Sequence, residues 1–334
     1  MCQYSSVDGF ATDWHLVHLG SRAVGNASMI VSEATAVSPE GRISPDDLGI
    51  WKDAHIEKLR QITTFISQQD CVPAIQLAHA GRKASTWAPW KGHGLVPISD
   101  GGWQTVSASD IAYAEHYPQP IQLDDEGIQK VITDFKNAAQ RAVEAGFKVI
   151  ELHAAHGYLI HQFLSPLSNH RTDEYGGSFQ NRIRLLVEIL EAIQAVVPQE
   201  MPLIVRISAT DWVEAGWDLP ESIELCKILK AKNVDLIDVS TGGLSQHQHI
   251  PIQPSYQVPF SETIRQQALI ATSTVGLIDN STEAEKILQH HQADLIFLGR
   301  KFLRDPYFAM QAAAELDEDI KWPNQYLRAR LSKK

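Results

Sequence analysis

The chain has 334 residues, 44% hydrophobic and 21% charged, which is enough apolar material for one large domain or two modest ones. Its formal net charge of -11, with no block of Lys or Arg, makes nucleic acid and anionic membrane surfaces poor partners. No apolar run is long enough to span a bilayer, MCQYSSVDGF lacks the basic and apolar regions of a signal peptide, and Cys2, Cys71 and Cys226 form no CxxC, so a reducing cytoplasm is expected.

Residues 1–12 read as irregular. Asp13 is placed to cap a helix through about Val24, with Trp14, Val17 and His18 on one stripe. Ala27 to Val31 reads as a strand running into Glu33 and Ala34, followed by a Pro-, Gly- and Asp-rich loop to about Asp47. A helix begins at Asp53, with Ile56, Leu59, Ile62 and Ile66 at helical spacing. Val72 to Leu77 is the next strand, ending in AHAGRK.

Residues 84–120 break the alternation. Trp87, Trp90 and Trp103 lie among many Gly, Pro and Ser residues, and a loop of that length inside a domain is expected to be a lid or binding loop. A helix follows from Ile128 to Val143, stopped by Gly146. Then comes the pivotal segment: an apolar run, Val149-Ile150-Glu151-Leu152, followed at once by His153, His156 and Tyr158, a polar loop and a helix from near Phe179. Leu203 to Ile207 is a strand carrying Arg206, and a helix spans roughly Pro220 to Lys230. Leu236 to Val239, Ala271 to Val275 and Leu295 to Leu298 are the remaining strands. Thr282 and Glu285 look like a capping box, and a last helix starts near Asp305-Pro306.

Seven strands alternating with helices imply a parallel sheet with helices outside it, either a barrel or a doubly wound sheet. No strand is followed by GxGxxG, which argues against a dinucleotide-binding half. The expected architecture is an α/β (β/α)8 TIM barrel, in one domain over 1–334, one strand short at the N-terminus.

In such a barrel the chemistry sits at the C-terminal ends of the strands. His153 and His156 in HAAH lack the Glu of HExxH and lie at a strand end, so no metal is expected. Two neutral imidazoles there could donate to a substrate oxygen that gains negative charge, and Tyr158 could supply a proton. Arg206, inside an apolar strand, must face an anion or a polar ligand; a structural ion pair is the alternative. Gln76 offers an amide at another strand end, and Gly276, Gly299 and Arg300 end the last two strands, where many barrels bind phosphate. His247, His249, His290 and His291 read as solvated surface residues.

The chain resembles the old yellow enzyme family of flavin-dependent ene-reductases, in its bacterial thermophilic-like and xenobiotic-reductase-like branch. The resemblance covers nearly the whole chain. It rests on MCQY from Met1, EATAV from Glu33, GRI from Gly41, QLAHAGRK from Gln76, HAAHGYL from His153, FLSPLSNHRTDEYGGSFQNR ending at Arg182, VRIS from Val205 and DLIFLGR ending at Arg300. It implies non-covalent FMN, with NADPH or NADH as reductant. It implies that Gln76 meets the pyrimidine edge, that Ala34 lies against the ring, and that Arg206 sits where reduced flavin carries charge. Gly276, Gly299 and Arg300 would hold the phosphate, and Cys2 would tune the potential. His153 and His156 would bind the substrate carbonyl between Tyr4 and Tyr158, with Tyr158 the proton donor. The implied reaction is ping-pong reduction of activated C=C bonds in enones or nitro compounds by an NAD(P)H dehydrogenase, in a homo-oligomer (dimer or tetramer). An arginine in the tail, Arg328, would reach a neighbouring subunit's site. Relatives carry a further N-terminal strand ending in Pro-Met-Cys, so Met1 is expected to be internal and the short form to hold FMN weakly, to fold poorly or to be prone to aggregation. The alternative function is a truncated, non-catalytic flavin-binding remnant. The related dienoyl-CoA reductases need grouped cysteines for an iron–sulfur cluster, which three scattered ones do not supply.

Overall fold

The computed structural model describes residues 1–330. Helix α1 (Asp13–Val24) precedes strand β1 (Met29–Ala36), and α2 (Ile56–Ser67) precedes β2 (Val72–Ala78). Two short strands, β3 (Val106–Ser107) and β4 (Ile121–Gln122), pair in a small sheet of their own. Next come α3 (Asp125–Glu144), β5 (Val149–Ala154), α4 (Leu159–Leu164), α5 (Phe179–Gln194) and β6 (Leu203–Ser208). They are followed by α6 (Leu219–Ala231), β7 (Leu236–Ser240), α7 (Val258–Ala268) and β8 (Ala271–Thr274). The described chain closes with α8 (Ser281–Gln289), β9 (Leu295–Ile296), α9 (Arg300–Arg304), α10 (Phe308–Glu315) and a 3-10 helix at Asn324–Ala329.

The main sheet runs β1-β2-β5-β6-β7-β8-β9, every pair parallel. The order never reverses, so there is no topological switch point and the sheet curls one way, as in a TIM barrel rather than a doubly wound sheet. Seven strands form it, and among the described residues β1 and β9 are not paired with each other.

Alternation along the strands sorts the side chains. Ile75, Leu77, Ile150, Leu152, Val205 and Ile207 join the helices in the main core. The other parity faces inward and forms two layers. The lower is apolar: Ala74, Val149, Ile204 and Leu236. The upper, two residues further on, is polar: Gln76 is in register with Glu151, and Arg206 with Asp238 and Ser273, while between β5 and β6 the register is offset, with Glu151 opposite Ile204 and His153 opposite Arg206. The polar layer therefore rests on an apolar one.

Capping explains where the helices start. Asp124 accepts from Gly127 N at the head of α3, and Asp218 from Glu221 N at the head of α6. Two caps differ from the sequence reading. Helix α1 is capped by Thr12, not Asp13: Thr12 N donates to His15 Nδ1. Helix α8 is capped by Asn280, whose Oδ1 accepts from Glu283 N at 2.8 Å, so Thr282 already lies in its first turn. Residues 84–120 hold β3 and a turn of 3-10 helix. Trp103 Nε1 donates to Glu40 O, and Arg42 stacks between Trp51 and Trp103, whereas Trp90 is exposed.

Candidate active site

Strand β5 is buried along its whole length and delivers His153 to the inner face. The chain then reverses through His156 (φ 58°) and Gly157 (φ 71°) and enters α4 at its N-cap, Tyr158. Glycine is required at 157, because a Cβ there would lie 2.4 Å from the Gly243 carbonyl oxygen. The reversal is held from beneath. Gly157 N donates to His161 Nδ1 at 2.9 Å, and His161 Nε2 lies 2.9 Å from Asp211 Oδ1, both side chains fully buried. Asp211 Oδ2 accepts from Ser165 Oγ and from Trp217 N. From the side, Lys83 Nζ donates to the His156 and Gly243 carbonyls, and burial pulls its ammonium down to about 7.

Burial, with Arg206 nearby, holds His153 and His156 well below the ordinary histidine range, so both rings are neutral at pH 7. Their hydrogen bonds assign the tautomers. Ala155 N donates to His153 Nδ1, which places the ring proton on Nε2, 3.4 Å from His156 Nδ1. His156 Nε2 then donates to Ser240 Oγ at 2.7 Å. The Tyr158 ring stands edge-on to His153, with its hydroxyl kept protonated by burial. Cys2 lies at the Ala34 backbone, its thiol pushed up by burial and by Asp47 and Glu33. Tyr4 (φ 45°) packs edge-on against Trp90, and burial likewise raises its hydroxyl.

A cavity of about 580 Å³ runs from the polar layer to the ends of β8 and β9. Gln76, Glu151, His156 and Arg206 line its inner end, and Gly276, Gly299 and Arg300 its outer end. The reading of Arg206 as facing a ligand gains a second half here: its Nε lies 2.9 Å from the buried Asp238 carboxylate, in register on β7. That contact is an ion pair without an aligned hydrogen bond, since neither Arg206 Nε nor Asp238 Oδ2 has a hydrogen-bond partner among the described residues. Asp238 Oδ1 accepts from Ser273 Oγ. Gly276 (φ 124°) admits no side chain, because a Cβ would press on Gln257 and Tyr256. Volume, unpaired polar atoms at the inner end, and close glycine backbone with an exposed arginine at the outer end suit an elongated ligand with a polar ring system and an anionic tail.

The comparisons with known proteins agree with that shape. The NADH:flavin oxidoreductase / NADH oxidase family model matches residues 1–319. The chain belongs to this family. It is 48% identical to an NADPH dehydrogenase of Bacillus subtilis over 98% of this chain and 92% of the relative. It is 50% identical to an NADPH dehydrogenase of Bacillus velezensis over 98% of this chain and 93% of the relative. Among solved structures, morphinone reductase superposes with a TM-score of 0.78 at 26% identity, covering 97% of this chain and 86% of that one. An old yellow enzyme homologue from Zymomonas mobilis gives 0.76 at 26%, covering 95% and 87%. The protein is therefore an NAD(P)H dehydrogenase of the old yellow enzyme type, with FMN as its cofactor, and the cavity fits that group.

All eleven residues singled out from the sequence lie at the C-terminal side of the sheet. Gln76, Arg206, His156, Gly276, Gly299 and Arg300 share one cavity wall, while Ala34 and Tyr158 border a second, water-sized space of about 10 Å³. His247, His249, His290 and His291 are exposed, and no group of three metal-ligating residues occurs among the described residues. The sequence reading missed Glu151, Asp238, Lys83 and the His161–Asp211 pair. Glu151 was hidden inside an apolar run. Its signal was present, however: Gln76, Glu151, Arg206 and Asp238 are each a lone polar residue flanked by apolar ones in successive strands.

Proposed function

We propose that this enzyme reduces activated C=C bonds of α,β-unsaturated carbonyl or nitro compounds at the expense of NADPH or NADH, by a ping-pong cycle. The observation that carries the reading is the pair of neutral imidazoles, His153 and His156, in contact with each other at 3.4 Å, with His156 lining the inner end of a cavity beside Gln76 and Arg206. FMN bound in the cavity would supply hydride acceptance from the nicotinamide and hydride donation to the substrate's β-carbon.

Gln76 would hydrogen-bond the flavin's pyrimidine edge, Arg206 would face its developing charge, and Ala34 and Cys2 would lie against the ring. Gly276, Gly299 and Arg300 would hold the phosphate. A carbonyl or nitro oxygen entering between the rings would accept hydrogen bonds from His153 Nε2–H, which lies 3.4 Å from His156 Nδ1, and from His156 Nε2–H, which donates to Ser240 Oγ. Neutral donors suit an oxygen that gains negative charge without handing it a proton. Tyr158, protonated at all working pH values, would deliver its hydroxyl proton to the α-carbon, with Tyr4 on the other side of the substrate. The loop at 84–120, anchored at Trp103 and exposed at Trp90, would act as the lid that chooses among acceptors. A cytoplasmic homo-oligomer in which the exposed Arg328 reaches a neighbour's site completes the proposal. The described residues contain no helix long and apolar enough to cross a membrane.

The test is anaerobic. FMN-loaded enzyme mixed with NADPH should bleach in one phase, and 2-cyclohexenone added afterwards should restore the yellow colour in a separate phase. His153→Ala should slow the second phase about 100-fold or more and the first much less, since it removes an oxyanion donor. Equal slowing of both phases, or reoxidation indifferent to the enone, would refute the reading.

A further inference from the structure

Glu151 sits at the centre of the polar layer and is used by none of the roles above. It is completely buried. Its Oε1 accepts from Gln76 Nε2 at 2.6 Å, and its Oε2 has no hydrogen-bond partner among the described residues, although the residue lines the cavity wall. The charged groups that face it are Arg206 on β6, Asp238 on β7 and, least, the amino group of Met1; Gln76 on β2 is its uncharged partner. One guanidinium thus serves two carboxyls. Arg206 is already paired with Asp238, so a second carboxylate would leave the layer with an uncompensated negative charge beneath the cavity, in a medium too apolar to screen it.

We propose that Glu151 is a proton reservoir that balances the charge of the flavin: it holds a proton whenever the flavin in the cavity carries negative charge, and can release it only when the flavin is neutral. The inference rests on FMN occupying the cavity against Gln76 and Arg206. The two electrons come from the nicotinamide in the established reaction. When they arrive, a Glu151 carboxylate takes one proton from solvent and becomes a carboxylic acid; when they leave for the acceptor, the carboxylic acid gives that proton back. No bond other than O–H forms or breaks at Glu151. Two features support this. Burial, then Asp238, push the Glu151 carboxyl up to about 8 against the pull of Arg206 and Gln76, so its proton is exchangeable near working pH. The Gln76 contact also makes the change legible to the flavin. An ionised Glu151 accepts from the amide NH2 and leaves Gln76 Oε1 facing the cavity, whereas a protonated one can donate to that oxygen instead.

The experiment is an equilibrium redox titration of FMN-loaded wild type and Glu151→Gln from pH 6 to 10. Below about pH 8 the two midpoint potentials should fall in parallel. Above it the wild type should fall faster, by one more proton per two electrons, and lie below the variant. Parallel lines over the whole range overturn the proposal. Should Glu151→Gln fail to fold, wild type labelled with 13C at the glutamate carboxyls gives the same readout. One carboxyl should titrate near pH 8 with oxidised flavin and stay protonated there with reduced flavin; a set of glutamates that all titrate in the ordinary range overturns it. The underlying placement is tested apart: if Gln76→Ala and Arg206→Ala bind FMN as tightly as wild type, the proposed cofactor position fails, whatever the pH dependence.

Discussion

The two ends of the cavity are built on different principles. The inner end, after β5, is held by the chain itself: a fully buried strand, a glycine pressed against the Gly243 carbonyl, and the buried His161–Asp211 pair beneath the reversal that carries His156 and Tyr158. The outer end, after β8 and β9, is loosely held. Strand β9 has two residues, Leu295 is 36% exposed, and Arg300 is exposed at the cavity rim. Groups that must meet a reacting atom within a fraction of an ångström need rigid support. An anionic tail can be gripped by flexible charge and backbone, and its own binding then orders the grip.

This contrast predicts unequal responses to mutation. The largest effect is expected from Asp211→Ala, which strands buried His161 and takes an acceptor from Ser165 and the Trp217 backbone. Breaking a buried pair of this kind costs about 3–5 kcal/mol, and a urea titration should show it with or without FMN. A loss below about 1 kcal/mol would mean that the inner end is not locked in this way.

Arg300→Ala should do the opposite. Apo-protein stability should change by no more than about 0.5 kcal/mol, as for an exposed side chain. The Kd for FMN should rise about 10- to 100-fold, the worth of a charge-assisted hydrogen bond, by fluorescence quenching. Unchanged FMN affinity would remove the proposed phosphate grip.

A third response is in pH dependence. Unfolded, Lys83 titrates at its ordinary 10.5, whereas in the folded chain burial lowers it to about 7. Between those values the unfolded chain binds more protons, so this residue makes stability rise with pH from about 7 to 10 and adds no slope below that window. Lys83→Met should flatten that rise, measured as the difference in unfolding free energy between pH 7 and pH 9.5. An undiminished slope would show that Lys83 keeps its proton, and hence its hold on the His156 and Gly243 carbonyls, throughout.

Much of the fold was legible because it rests on local signals. The spacing of Ile128, Val131 and Phe135 gives α3, and Gly146 follows its end; short apolar runs between helices give the seven strands. The caps of α1 and α8 were misjudged because Thr12 and Asn280 compete with equally good cap residues one or two positions on, and only the backbone turn decides among them. The short helix α4 was not anticipated, since its six residues are all buried and show no helical stripe. Among site residues, His153, His156 and Tyr158 stood out because they cluster within six positions of sequence. Lys83 and Asp211 did not, because what matters about each is a contact with a distant segment.

The sequence by itself determined which residues are apolar, which strands alternate with helices, and hence a curled parallel sheet with its chemistry at one end; those are consequences of periodicity and composition. Tertiary structure alone decided which polar residues share a layer. Gln76 and Glu151 are 75 residues apart and hydrogen-bonded; Arg206 and Asp238, on neighbouring strands, form one ion pair. Strand register sets those pairings, and register is a property of the assembled sheet, which places two buried acids and one partly exposed base on three neighbouring strands.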